Sequence, residues 1–122
     1  MDKSILVIED DATLRNLLSE ILEFEGYQVI TARDGLDGLE KLKDNRPVLI
    51  LLDLMMPKMD GITFVEELER RGLHPMIPVI ILTADHLARE RVSRVEPEGY
   101  IEKPMEIRTL LEEITRITLD AG

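Results

Sequence analysis

The chain of 122 residues contains no cysteine, which excludes a disulfide framework, thiol chemistry and a cysteine-based zinc site. It has two histidines, His74 and His86, and each is isolated in the sequence. No apolar stretch approaches the length that spans a membrane, and the first residues lack the basic and apolar regions of a signal peptide. We therefore predict a cytoplasmic protein with no membrane partner.

Positive charge is also scarce, since 15 lysine and arginine residues face 25 aspartate and glutamate residues. The resulting formal net charge of -10 repels nucleic acid backbones and anionic lipid surfaces, so we expect this chain not to bind nucleic acid directly. An apolar content of 44% at this length predicts one globular domain over residues 1–122. No linker, repeat or low-complexity segment divides that domain.

Apolar runs of strand length recur along the chain, and stretches of helical spacing lie between them. The runs cover residues 5–8, 29–30, 48–52, 79–82 and 100–101. Five strands that alternate with five helices form repeated βαβ units. This pattern predicts an α/β fold in which a parallel sheet is covered by helices on both faces.

Helical spacing is clearest after the first run, where Asp11 is available as the N-cap of a helix with five apolar residues on one face. These residues are Leu14, Leu17, Leu18, Ile21 and Leu22. A second helix follows Asp34, a third runs from about Asp60 to a stop at Gly72, and the last carries an apolar face over residues 107–117. The fourth helix is the weakest prediction, because three arginines interrupt a sparse apolar face of Leu87, Val92 and Val95.

Polar side chains gather where the predicted strands end. Glu9 and Asp10 follow the first strand, Asp53 the third, Thr83 the fourth and Lys103 the fifth. In a parallel sheet these ends face the same edge. Neighbouring carboxylates need a neutralising cation, and oxygen ligands favour a hard ion such as Mg2+. A lysine and a hydroxyl opposite the metal can hold a phosphoryl group, which an aspartate can accept as a nucleophile.

Four motifs together resemble the receiver domain of two-component response regulators, in order and at nearly the family's spacing over essentially the whole chain. They are Ile8-Glu9-Asp10-Asp11, the nine residues from Asp53 to Gly61, Thr83-Ala84, and Tyr100-Ile101-Glu102-Lys103-Pro104. The resemblance implies a flavodoxin-like, doubly wound five-stranded sheet with strand order 2-1-3-4-5. It also implies a regulatory phosphoacceptor rather than an enzyme, one that assists its own phosphorylation and dephosphorylation.

The resemblance implies a metal site among the acidic residues. Asp53 is the implied phosphoacceptor, and Asp10 is an implied direct ligand of Mg2+. The ligand set is completed by Asp53 itself and by the backbone carbonyl of Met55. Glu9 is expected to act in the outer shell of the metal.

The same resemblance assigns the phosphoryl contacts and the switch. Lys103 is expected to pair with the carboxylate or phosphoryl oxygens, and Thr83 to bind the phosphoryl group through its hydroxyl. Tyr100 is the implied switch aromatic, whose rotamer follows Thr83 and changes the face formed by the fourth helix, fifth strand and fifth helix. The implied donor is a sensor histidine kinase or phosphotransfer protein. The resemblance also implies an output protein or effector domain, which the sequence does not identify. A dimer that forms on phosphorylation is a further expected partner.

One segment departs from the family's pattern. Residues 94–99, before the fifth strand, lack the usual Gly-Ala pair and are shorter than usual. Because this segment adjoins the fourth helix, the departure bears on a face that many receivers use for output.

Three other functions fit parts of the sequence. A Mg2+-dependent phosphohydrolase of the haloacid dehalogenase type also uses a strand-end aspartate nucleophile, but Met55 stands where its second aspartate belongs. A flavin carrier shares the fold, yet it needs a Ser/Thr/Gly-rich phosphate loop where this chain has Glu9-Asp10-Asp11. A receiver that serves only as a protein-interaction module, without phosphorylation, would keep the fold and lose the chemistry.

Overall fold

The computed structural model describes residues 3–121 and contains five strands. In chain order they are β1 (Ser4–Ile8), β2 (Gln28–Ala32), β3 (Leu49–Asp53), β4 (Val79–Thr83) and β5 (Gly99–Glu102). All neighbouring pairs are parallel, and the strands form one sheet in the order β2-β1-β3-β4-β5. The predicted sheet and its strand order are confirmed.

Helices alternate with these strands. They are α1 (Ala12–Phe24), α2 (Gly35–Lys41), α3 (Gly61–Arg70), α4 (Arg89–Ser93) and α5 (Ile107–Ala121). Two hydrophobic clusters lie on opposite faces of the sheet, one with Leu39 of α2, Phe64 of α3 and Val92 of α4, the other with Leu18 of α1 and Ile114 of α5. The sheet is therefore doubly wound. No helix in the described part of the chain is long and apolar enough to cross a membrane.

Strands β3 and β4 are buried along their whole length, which explains their unbroken apolar runs. The register pairs Ile8 with Leu52 and Asp53 with Leu82. Thr83 is paired in the same way with its neighbour on β5. The carboxyl ends of β1, β3, β4 and β5 therefore meet at one edge, where the predicted site residues lie.

Aspartates begin three of the helices, as their sequence positions predict. Asp11 accepts a backbone N–H at 2.9 Å, and Asp34 and Asp60 each accept one at 2.8 Å. Each bond satisfies an amide that has no partner inside its helix. Gly72 follows the end of α3 with φ of 74°, the left-handed conformation that glycine adopts without strain.

The fourth helix is shorter than its apolar pattern predicts. It has five residues, and its N-cap is Ala88, whose side chain offers no acceptor to the first free amides. Val92 is buried within the helix and Val95 just beyond it, but Leu87 precedes the helix and is 89% exposed. Leu87 thus lies outside the helix to which the sequence assigned it. Leu17, on the predicted apolar face of α1, is also 48% exposed.

The connection between α4 and β5 is anchored by Glu98. Its Oε1 accepts the backbone N–H of Val79 at 2.8 Å and lies 3.1 Å from Nε2 of His74, whose side chain is buried. His86 also has a carboxylate partner, since its Nδ1 lies 2.7 Å from Oε2 of Glu102. Both histidines are isolated in the sequence and paired in the fold.

Candidate functional site

Three carboxylates converge at the carboxyl edge of the sheet. Oxygens of Glu9, Asp10 and Asp53 lie within 4.8 Å of one another. Asp53 is the last residue of β3 and is 6% exposed, Glu9 directly follows β1 and is 2% exposed, and Asp10 is exposed. The structure therefore brings together the three acids that the sequence predicted, with one of them open to solvent.

Lys103, which directly follows β5, reaches this acidic cluster. Nζ of Lys103 lies 3.0 Å from Oε1 of Glu9 and 3.6 Å from Oδ1 of Asp53. The backbone N–H of Lys103 donates to the carbonyl of Thr83 at 2.7 Å, which continues the β4–β5 pairing and fixes where the lysine leaves the sheet. The Lys103-Pro104 peptide bond is cis. The predicted pairing of Lys103 with the Asp53 carboxylate is present.

The environment of Asp53 disfavours its charged form. Burial is the main reason that the pKa of Asp53 rises from its ordinary 3.8 to about 7, and the charge of Glu9 acts in the same direction while Lys103 opposes it. Hydrogen bonding to Glu9 and Asp10 raises the pKa further. A cation bound among these carboxylates would favour the ionised form. The donor set, which is all oxygen, therefore fits Mg2+.

Both side-chain oxygens of Glu9 already have protein partners. Oε1 accepts from Lys103, and Oε2 accepts the backbone N–H of Asp11 at 3.2 Å. Arg15, on the first turn of α1, donates from Nη1 to the backbone carbonyl of Glu9 at 2.7 Å. Arg15 was not predicted from the sequence, although its place one turn after the helix cap puts it within reach of the β1 end.

The loop after β3 passes very close to the start of α3. A Cβ atom on Gly61 would lie 3.0 Å from Cα of Leu54 and 3.3 Å from the carbonyl oxygen of Asp53. The Gly61 N–H donates to the carbonyl of Leu54 at 2.9 Å, and the Met55 N–H lies 3.3 Å from Oδ1 of Asp53. The sequence predicted only that a helix begins at about Asp60; Gly61 also permits this close approach.

Thr83 and Tyr100 occupy different levels of the sheet. Thr83 ends β4 and is fully buried, with its Oγ1 accepting the backbone N–H of Asp85 at 2.9 Å. Tyr100 pairs in register with Ile81, two residues further from the edge, and the guanidinium of Arg89 lies 4.5 Å above its ring. The Tyr100 hydroxyl is buried and has no hydrogen-bond partner among residues 3–121. Burial raises the pKa of this phenol.

An open cleft of about 420 Å³ leads to the acidic cluster. Its lining includes Asp10, residues of the β3–α3 loop, and Arg91 from α4. Nη2 of Arg91 lies 3.0 Å from Oδ2 of Asp85. No sequence signal pointed to Arg91, because its place depends on how the short helix α4 lies against the sheet edge.

A sequence model described as the response regulator receiver domain matches residues 5–115. The chain belongs to this family. The structure has five parallel strands, an acidic cluster at the strand ends and a lysine beside that cluster. The sequence independently matches the family over nearly the whole chain.

Relatives of this receiver domain include full-length regulators and isolated receivers. The chain is 36% identical over 113 residues to the response regulator MprA of Mycobacterium tuberculosis, with 91% of this chain and 48% of MprA aligned. It is 40% identical over 110 residues to the alkaline phosphatase synthesis transcriptional regulatory protein PhoP of Bacillus subtilis, with 88% and 45% aligned. The chain thus spans about half the length of these curated relatives.

Solved receiver structures have the same fold. A CheY-like response regulator receiver domain from Methanospirillum hungatei superposes with a TM-score of 0.90 at 31% identity, covering 99% of this chain and 97% of the other. The chain is therefore a regulatory component of two-component signalling. Neither the phosphohydrolase nor the interaction module without phosphorylation is favoured by these relatives.

Proposed function

We propose that this receiver domain accepts a phosphoryl group on Asp53 and changes its surface in response. The donor is a phosphohistidine on a sensor histidine kinase or phosphotransfer protein. The observation that carries the proposal is the buried Asp53 carboxylate, with two further carboxylates beside it and Nζ of Lys103 3.6 Å away. Neighbouring buried carboxylates destabilise the fold, so a purely structural role does not explain them. The arrangement suits charge neutralisation during phosphoryl transfer.

The acidic residues would hold Mg2+. Asp10, Asp53 and the backbone carbonyl of Met55 are the proposed ligands, and Glu9 acts in the outer shell. The two protein hydrogen bonds made by the Glu9 carboxylate support this division, since they leave it less free to coordinate directly. When bound, Mg2+ supplies positive charge that offsets the charge on the transferred phosphoryl group.

The transfer itself is a displacement at phosphorus. A carboxylate oxygen of Asp53 attacks, a P–O bond forms, the P–N bond to the donor imidazole breaks, and the imidazole takes up a proton from water. Lys103 opposes the rise in the pKa of Asp53, bound Mg2+ would favour the ionised nucleophile further, and Lys103 then pairs with the phosphoryl oxygens. In this way the receiver assists its own phosphorylation; loss of the group requires water to attack the same phosphorus.

The response to phosphorylation would pass through Thr83. Its hydroxyl turns from the Asp85 amide toward the phosphoryl oxygens, and Tyr100 follows. The unpaired hydroxyl of Tyr100 supports two positions of the ring, because a buried hydroxyl without a partner is destabilising. The face formed by α4, β5 and α5 would then change for an output partner or for a second copy of the chain. We place this single domain, residues 1–122, in the cytoplasm.

Incubation with Mg2+ and acetyl phosphate, followed by intact mass measurement, tests the proposal. We expect one phosphoryl adduct on the wild type and its loss in Asp53→Ala. Asp60→Asn is the matched control, because Asp60 lines the same cleft and asparagine keeps the oxygen that caps α3. An adduct of undiminished yield on Asp53→Ala would refute Asp53 as the acceptor.

A further inference from the structure

We propose that Arg91 is a second phosphoryl-binding residue, which leaves Asp85 and binds the phosphoryl group at the mouth of the cleft. This inference rests on the proposed role of Asp53 as the acceptor. It assigns to α4 a direct contact with the reacting group, in addition to the contact proposed for Lys103.

Arg91 already lies in the wall of the cleft. Its side chain lines the cleft together with Asp10, Met55 and Asp60, and it is 45% exposed. A phosphoryl donor that reaches Asp53 through this cleft passes the guanidinium. The planar fork of an arginine can bind two phosphoryl oxygens at once, a geometry that a lysine does not provide.

The present partner of Arg91 can be exchanged. Its ion pair with Asp85 has a separation of 3.0 Å, but both side chains are partly open to solvent, at 45% and 31%. Ion pairs in such positions contribute little net stability. A phosphoryl group that carries about two negative charges therefore competes well with one carboxylate for the same guanidinium.

The charges of the site favour a second cation after transfer. When ionised, the three carboxylates of Glu9, Asp10 and Asp53 carry three negative charges, and Lys103 neutralises one of them. A divalent cation balances the remaining two. Phosphorylation then adds about one further negative charge at Asp53. Arg91 is the arginine that lines this cleft and can neutralise that charge without a rearrangement of the sheet.

Asp85 connects this contact to the proposed switch. Its backbone N–H donates to Oγ1 of Thr83 at 2.9 Å, and its Oδ1 accepts the N–H of Leu87 at 2.9 Å, just before α4. When Thr83 and Arg91 both turn toward the phosphoryl group, Asp85 loses two of its contacts at once. The start of α4 is then held less firmly.

The test compares four variants with the wild type in the full chain at limiting acetyl phosphate, with adduct formation followed by intact mass. Arg91→Gln should slow phosphorylation about tenfold, the loss expected for a charge-assisted contact. Asp85→Asn keeps an oxygen for the Leu87 amide but releases Arg91, so phosphorylation should become about twofold faster. Arg94→Gln removes the same charge outside the cleft and should keep the wild-type rate.

Rate changes of opposite sign in Arg91→Gln and Asp85→Asn would exclude a purely structural role for Arg91. If Arg91 only held Asp85 in place, Arg91→Gln and Asp85→Asn would change the rate in the same direction, and the inference would be overturned. Arg91→Lys, which keeps the charge without the fork, should fall between the wild type and Arg91→Gln. Inhibition by inorganic phosphate gives a second readout and should weaken in Arg91→Gln alone.

Failure of the two proposals can be told apart. No adduct on the wild type, or an adduct that persists in Asp53→Ala, contradicts the acceptor assignment. An adduct on Asp53 that forms at equal rates in wild type, Arg91→Gln and Arg94→Gln contradicts only the inference on Arg91. Circular dichroism of each variant confirms that it is folded before the rates are compared.

Discussion

The Asp53 carboxyl group sits where burial and a neighbouring acid both oppose its ionisation. Its pKa of about 7 means that the folded protein retains a proton that the unfolded chain, at 3.8, has already lost. The folded state therefore binds more protons between these values, and stability falls as pH rises through that window. The loss of stability thus arises at the residue whose ionised form is the proposed nucleophile.

Asp53→Asn tests this cost in metal-free protein. Asparagine does not ionise, so its advantage over aspartate should grow by about 2 kcal/mol from pH 5 to pH 7 and level off above about pH 8. Urea unfolding in EDTA at several pH values measures it. The control repeats the series in saturating Mg2+, where the advantage should shrink. A difference that does not change with pH would contradict the raised pKa.

Gly61 is a second residue where local geometry supports the site. Gly61→Ala should destabilise the fold by about 1–2 kcal/mol, because the new methyl group would press on the backbone at Leu54 and Asp53. Gly35→Ala is the matched control, since Gly35 also begins a helix after a capping aspartate, but the three atoms nearest to its added methyl group belong to the side chain of Met59 and not to backbone. Thermal unfolding of both variants gives the comparison, and equal effects would refute the argument.

At the scale of elements, the short helix α4 and its connection to β5 differ most from expectation. Helix α4 has no side-chain cap, and Glu96 in the following turn has φ of 47°, in the left-handed region. The connection is held by Glu98 instead, which bridges the Val79 amide and the buried His74. A polar anchor thus holds the connection between α4 and β5.

Glu98→Ala should therefore destabilise the protein by about 2 kcal/mol, because it leaves the Val79 amide and a buried imidazole nitrogen without partners. Glu98→Gln keeps an acceptor oxygen and should lose less stability. Glu96→Ala, two residues earlier and exposed, is the control and should be nearly neutral. Chemical denaturation measures all three. A loss in Glu98→Ala no larger than in Glu96→Ala would show that the bridge is not an anchor.

Prediction from sequence succeeded for elements with strong local signals. The caps at Asp11, Asp34 and Asp60 and the strands β3 and β4 are specified by neighbouring residues, so the sequence predicts them directly. Helix α4 could not be predicted in this way, because its few apolar residues are placed by contacts with the sheet. Leu87 was assigned to the apolar face of this helix, but it precedes the helix and is exposed.

At the scale of the whole molecule, the parallel sheet joins groups that are distant in the chain. Glu9 and Lys103 are 94 residues apart in sequence, yet their charged atoms lie 3.0 Å apart. The strand order and register produce this contact by bringing the carboxyl ends of four strands to one edge. The two hydrophobic clusters hold the sheet between helices and keep that edge in register.

The sequence by itself determined the βαβ repeat, the family, and the set of residues at the strand ends, because periodicity, capping and motif spacing are local properties. Tertiary structure decided what surrounds them. The raised pKa of Asp53, the anchor at Glu98 and the position of Arg91 across the cleft depend on burial and on distances between separate elements. Electrostatic energies follow distance and solvent exposure in space, so only the fold could set them.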